Sequence, residues 1–323
     1  MKWSAIFFIL LAACCRLLHA QHNSYAGPSE VPVHISCSGT AGLSSSARNA
    51  LADAYAQWSA ARVRNDSRTQ AGTYTLPVVF HIVASDPGAT TDADILGALQ
   101  LLNDAFAHTN SFNRGTGVNT GIQFCLAQTA PDGGITAGID RIKSDYGDFD
   151  YDLEDEKLKR QSYWDPDRYL NIWVVNSIQS ELIRTYSGRR GWTRTPLGGY
   201  ATMPVNTTSQ LEGVVVGGLD AATLAHECGH YLGLLHTFEG MNCTNNDCTR
   251  DGDQVCDTPP DVSIGDSPSC TRPDNSCGTD TLSNRSRGYF PNDVPDMISN
   301  FMDYGNDACK SDFTQGQADR MSS

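Results

Sequence analysis

The stretch Ala225-His226-Glu227-Cys228-Gly229-His230-Tyr231-Leu232-Gly233-Leu234-Leu235-His236-Thr237 decides how this chain is read. His226 and His230 stand one helical turn apart, so on a helix both imidazoles leave the same face. Glu227 is adjacent and can reach a water held between them. Gly233 can take the positive φ that ends a helix, turning the chain so that His236 swings back as a third donor. Three neutral imidazole nitrogens form a Zn²⁺ ligand set that leaves the fourth position to water. Asp220 stands where the N-cap of such a helix belongs, and Leu224, Cys228 and Leu232 give it an apolar side. At the chain's own residue frequencies, these five residues at this spacing arise by chance roughly 10⁻⁵ times per chain. Beyond residue 34 only His81 and His108 lie elsewhere, so histidine is concentrated where the metal would be.

The chemistry of that set is hydrolytic. Zinc lowers the pKa of a bound water towards neutrality and polarises a carbonyl. Glu227 is the general base that takes the water's proton and returns it to a leaving amine, without a covalent enzyme intermediate.

The rest of the chain sets the context. Its 323 residues, 40% hydrophobic, can bury one large domain or two small ones. With 37 acidic against 23 basic residues the formal charge is −14, which argues against a nucleic-acid partner. Aspartate dominates, and residues 241 to 312 hold 13 Asp, no Glu and five Arg or Lys. Asp favours caps, turns and hard-cation sites, so this region reads as structured loops beside the metal.

Residues 1–20 read as a secretory signal: Lys2, a short apolar run from Ala5 to Ala13, and a small residue at Ala20. No other segment is apolar for long enough to span a bilayer. The expectation is a secreted, extracellular monomer without a membrane partner. Nine cysteines remain after the signal, six of them between 243 and 309, as in a disulfide-stapled region of an oxidising compartment. Sequons at Asn65, Asn206, Asn242 and Asn284 fit a glycoprotein. Residues 21–70 are polar and end in a basic stretch, which suits a pro-segment, leaving 71–323 as the catalytic domain. There, Thr75–Val83 is β-prone, and Asp92–Phe106 has helical apolar spacing with Asp92 or Asp94 near the N-cap. Gly121–Ala127, Leu170–Val175, Gly199–Pro204 and Gly213–Val216 read as further strands. The pattern predicts an α+β fold with a mixed sheet carrying helices.

The extended histidine motif resembles that of the metzincin metallopeptidases, whose second mark is a methionine turn beneath the zinc. Asn300-Phe301-Met302-Asp303-Tyr304 matches it, with Met302 as the turn residue. Within that group the chain is most similar to the pappalysin family, in its secreted microbial and fungal branch. The segments HECGHYLGLLHTF, GDQVCDTPP (252–260), NFMDYGNDAC (300–309) and FTQGQADRM (313–321) carry the likeness. It implies a zinc endopeptidase acting on polypeptides. The implied fold has a twisted sheet with two long helices above a cleft, followed by a loop-rich C-terminal subdomain. It also implies that Tyr304 stabilises the oxyanion, and that Cys37 of the pro-segment ligates the zinc in a zymogen, although here Ser38 separates Cys37 from Gly39. A calcium ion near Asp253, Val255, Asp257 and Thr258 is a further implication, with a solvated acidic turn as the alternative. Cys256 stands where relatives commonly have another residue and is expected to pair with Cys243 or Cys248. Cys228 is read as a buried thiol or a partner for Cys125. Two other readings stand beside the peptidase: a metzincin of another family, such as an astacin-like one, and a catalytically silent binding protein on the same scaffold.

Overall fold

The computed structural model describes residues 73–145, 147–186, 189–204, 211–262 and 275–322, together with Asn49, Asp53 and Cys270. The signal, Cys37 and nearly all of the pro-segment lie outside these residues.

The apolar run after Thr73 becomes strand β1 (Tyr74–Ala84), buried on both faces from Val78 to Val83. It is the spine of a six-stranded sheet. Its first half pairs in parallel with β2 (Ile122–Leu126), its second half with β3 (Ile139–Lys143), and its other edge with β5 (Leu170–Val174). Beyond β5 lie the parallel strand β9 (Val214–Val216) and the antiparallel strand β8 (Gly199–Ala201), which ends the sheet. A smaller sheet joins β4 (Asp148–Asp150) to the hairpin of β6 (Ser177–Tyr186) and β7 (Arg189–Leu197). β3, β4 and the hairpin were not foreseen, because they are polar and lack the alternation that marks a half-buried strand.

Helix α1 (Asp92–Ala107) lays Ile95, Leu99, Leu102 and Phe106 against Val78, Phe80 and Ile82 on one face of the sheet. Its N-cap is Thr91, with Asp92 and Asp94 in the first turn. The Thr91 side chain accepts from Asp94 N, while the Asp94 carboxylate accepts from Thr91 N at 2.8 Å. Asp94 is thus the third residue of a capping box, where an acid satisfies the cap's own amide. On the opposite face Val83, Trp173, Tyr200 and Val215 pack with Phe149 and with Leu158 of helix α2 (Tyr151–Lys159). Helix α3 (Ala221–Tyr231) is capped by Asp220, which accepts from Thr223 N at 2.9 Å. It buries Leu224, Ala225 and Cys228 in the first core, beside Phe301, Met302 and Phe313.

After α3, the described residues contain no further α-helix until α4 (Gln315–Met321). Covalent bonds and buried aspartates hold this region instead. The disulfides are Cys243–Cys277, Cys248–Cys256 and Cys270–Cys309, so Cys256 takes Cys248. Cys228 forms no disulfide among the described residues, and burial pushes its thiol pKa up. Asp253, Asp261, Asp280, Asp296, Asp303 and Asp312 are buried. Asp296 accepts from Ser276 N, Asp280 from Val294 N, and Asp312 from the hydroxyls of Ser299 and Ser311. Much of the acidic excess is therefore spent on loop amides and hydroxyls rather than displayed on a cleft wall.

Candidate metal centre

α3 carries His226 and His230 on one face, and its last turn is closed by Gly233, with φ at 92°. Gly233 N donates to His230 O and Leu234 N to Gly229 O, each at 2.9 Å, which folds the following chain back on the helix. His236 thereby reaches the other two. The three Nε2 atoms lie 3.2 Å (226 to 236), 3.0 Å (226 to 230) and 3.1 Å (230 to 236) apart. They are the one group of three or more potential ligand side chains converging on a single point among the described residues.

The outward nitrogens explain the tautomer. His226 Nδ1 lies 2.6 Å from Phe301 O, and His230 Nδ1 lies 2.8 Å from Leu234 O. A carbonyl only accepts, so each Nδ1 carries the proton and each Nε2 presents a lone pair inwards. His236 Nδ1 lies 4.0 Å from Glu239 Oε2. Burial holds all three imidazoles neutral, lowering the His230 pKa to about 4 and those of His226 and His236 below their usual range. Converging lone pairs repel unless a cation sits among them. Two nitrogens about 2.05 Å from one tetrahedral Zn²⁺ are about 3.3 Å apart, close to the spacing here, so these residues fit the ion.

Glu227 is fully buried. Its side chain lies against the start of β8: a Cβ on Gly199 would come within 2.8 Å of Glu227 Cγ and 2.9 Å of its Oε1. Met302 is also fully buried, and a Cβ on Gly229 would meet its Sδ at 2.5 Å. Gly229, between the two helical histidines, is thus the residue that lets the methionine turn press against the helix. Sequence reading missed both glycines, because their reason lies across the fold. Tyr304 packs its ring on those of His236 (4.9 Å between centroids) and Phe238 (4.7 Å), and sits 5.9 Å from His226. Asp303, next to it, has its carboxyl pushed up to about 7 by burial, against the opposing pull of the Lys310 ammonium.

Among the described residues, the two remaining histidines and the 252–260 loop lie apart. His81 is buried in the sheet, with Nε2 2.9 Å from Asn171 Oδ1, and His108 caps α1. In the 252–260 loop, the Asp253 oxygens accept from Val255 N (3.0 Å) and Thr258 Oγ1 (2.7 Å), and Asp257 accepts from Thr314 Oγ1 and Gly316 N, both at 2.8 Å. Burial raises the Asp253 pKa to about 8. These donors are turned to one another and to α4.

A helix with two histidines, a third from the following turn, a methionine beneath them and a carboxylate on a glycine strand define a metallopeptidase centre. The family model described as peptidase M43, pregnancy-associated plasma protein-A, matches residues 152–323. The chain belongs to this family and is a metalloendopeptidase with the metzincin fold. It is 29% identical over 262 residues to an extracellular metalloprotease of Colletotrichum graminicola, covering 78% of this chain and 76% of that one. Over a shorter stretch of 101 residues, 31% of this chain and 29% of the other, it is 40% identical to extracellular metalloprotease 1 of Coccidioides posadasii. Among solved structures it is similar to mature mirolysin of Tannerella forsythia with a cleaved peptide, at 28% identity and a TM-score of 0.58, covering 77% of this chain and 90% of that one. A promirolysin variant of the same organism matches at 27% identity and a TM-score of 0.58, over 83% and 85% of the two chains. No helix among the described residues is long and apolar enough to cross a membrane.

Proposed function

We propose that this chain is a secreted zinc endopeptidase, made as a zymogen, with His226, His230 and His236 as zinc ligands and Glu227 as general base. The observation that carries the reading is three buried Nε2 atoms 3.0–3.2 Å apart, with a buried carboxylate on the residue after the first of them. Zinc, when bound there, supplies the charge that acidifies water and polarises the scissile carbonyl. Glu227 accepts the attacking water's proton and passes it to the leaving amine. Phe301 O and Leu234 O keep the imidazoles in the ligating tautomer. Met302 fills the floor beneath them with a polarisable apolar group. The Tyr304 phenol donates to the developing oxyanion.

The substrate is a polypeptide, supported by the cleaved peptide named with mature mirolysin. Secretion is supported by residues 1–20 and by relatives named extracellular. Latency through Cys37 in the 21–70 pro-segment is supported by the likeness to a promirolysin. Asn242 and Asn284 are exposed, as glycan acceptors must be. A calcium ion at 253–258 would compete with Thr258 Oγ1 and Val255 N for the Asp253 oxygens, so the reading is built on one metal ion.

The deciding experiment uses the full chain after activation, assayed on a peptide library with metal analysis alongside. About one zinc per chain is expected. Cleavage should stop with a zinc chelator and return with added zinc. Cleavage that persists in metal-free protein overturns the proposal.

Gly199→Ala tests the placement of the base. The new methyl would press on Glu227 Cγ and Oε1 and on Val215 O. A shift of about 1 Å in a catalytic group costs about 100-fold in rate, so kcat should fall by that order with zinc content unchanged. Wild-type kcat would show that Glu227 does not need the glycine.

A further inference from the structure

The C-terminal segment FTQGQADRM contributes no ligand, yet it bonds to the methionine turn, to the 252–260 loop and to the turn at Gly233. Gln317 and Asn300 exchange amide hydrogen bonds at 2.8 and 3.0 Å, and Asn300 Oδ1 also accepts from Met302 N at 2.9 Å. Thr314 and Gly316 hold Asp257. Arg320, 2% exposed, donates from Nε to Gly233 O at 2.8 Å, and from its two Nη atoms to Gln254 O (3.3 Å) and Gln254 Oε1 (3.2 Å).

We infer that Arg320 is a positioning residue for the third metal ligand. Gly233 is the turn that brings His236 to the other histidines, and Gly233 is itself buried. A buried carbonyl needs a donor, and a residue at φ 92° cannot return its carbonyl to the helix ladder. Arg320 Nε supplies the donor. The guanidinium fork ties this carbonyl to Gln254, a non-glycine residue held at φ 64° in the disulfide-bonded loop. One planar group thus fixes two left-handed turns against each other, and His236 follows three residues after the first. Lysine has three donors on one flexible ammonium and cannot reproduce this rigid planar geometry.

The inference rests on the zinc reading, and its test separates the two. Zinc affinity of the full chain is measured by competition with a chromophoric chelator, and the cobalt(II) derivative by its visible absorption. Arg320→Lys should bind zinc about 10–100-fold more weakly, the range for losing a group that supports a ligand. Its cobalt spectrum should change, and kcat should recover at saturating zinc. Gln254→Gly keeps the φ and the carbonyl but removes the Oε1 acceptor, and should lose about tenfold. It decides the matter if Arg320→Lys does not fold. Exposed Gln315→Ala, on the same helix, should match wild type. A folded Arg320→Lys or Gln254→Gly with wild-type affinity and cobalt spectrum overturns the inference alone. A wild-type chain that binds no zinc overturns the site reading beneath it.

Discussion

Replacing Glu227 with alanine is expected to leave the metal bound and to lower kcat by about 10²–10⁴, the usual contribution of a positioned general base. The metal should stay because the orienting bonds of the two helical ligands run to backbone carbonyls of other residues. His226 and His230 are held through Nδ1 by Phe301 O and Leu234 O. Alanine is also the residue most compatible with the middle of α3. The rate should fall because Glu227 is the fully buried carboxylate adjoining the histidines. The neighbouring Cys228 cannot substitute, since burial keeps its thiol protonated. Glu227→Gln keeps the volume and removes only the basicity, so it should fall as far. A zinc-loaded Glu227→Ala protein that turns over at a rate near wild type would sink the assigned role.

The second large effect is on the metal itself. His236→Ala should weaken zinc binding by more than the roughly 10–100-fold that loss of an outer hydrogen-bond partner costs, because it removes a donor outright. α3 ends at Tyr231, so the helix and its two histidines should survive the change. Two imidazoles remain, but two ligands do not complete a zinc site. Dialysis against a chelator followed by metal analysis reads this directly. Zinc content equal to wild type would remove His236 from the ligand set.

The elements legible in the sequence were those with one dominant signal. β1 is a continuous apolar run, α1 repeats its apolar residues every three or four positions, and β5 is LNIWV. The polar elements were not legible. α2 shows YDLEDEKLK and is held partly from outside: Tyr200 of β8 reaches the Asp155 carboxylate at 2.6 Å, and that carboxylate also pairs within the helix with the buried Lys159 at 2.9 Å. β6 and β7 stabilise each other as a hairpin through backbone pairing, which any side chains permit.

The sequence by itself determined the metal-site helix, its cap at Asp220, the turn at Gly233 and the candidate ligands and base. All of these lie between Asp220 and His236, where helix geometry and one glycine turn fix which side chains can meet. The tertiary structure decided the rest. It chose Cys248 for Cys256 from fifteen connectivities. It also gave Gly199 and Gly229 their reasons in Glu227 and Met302, and it buried Asp253, Asp261, Asp280, Asp296, Asp303 and Asp312 as acceptors inside the loops. Arg320 is the clearest case. It lies 87 residues from the Gly233 carbonyl it holds, and no local periodicity links the two. Contacts at such separation form only when the whole core closes.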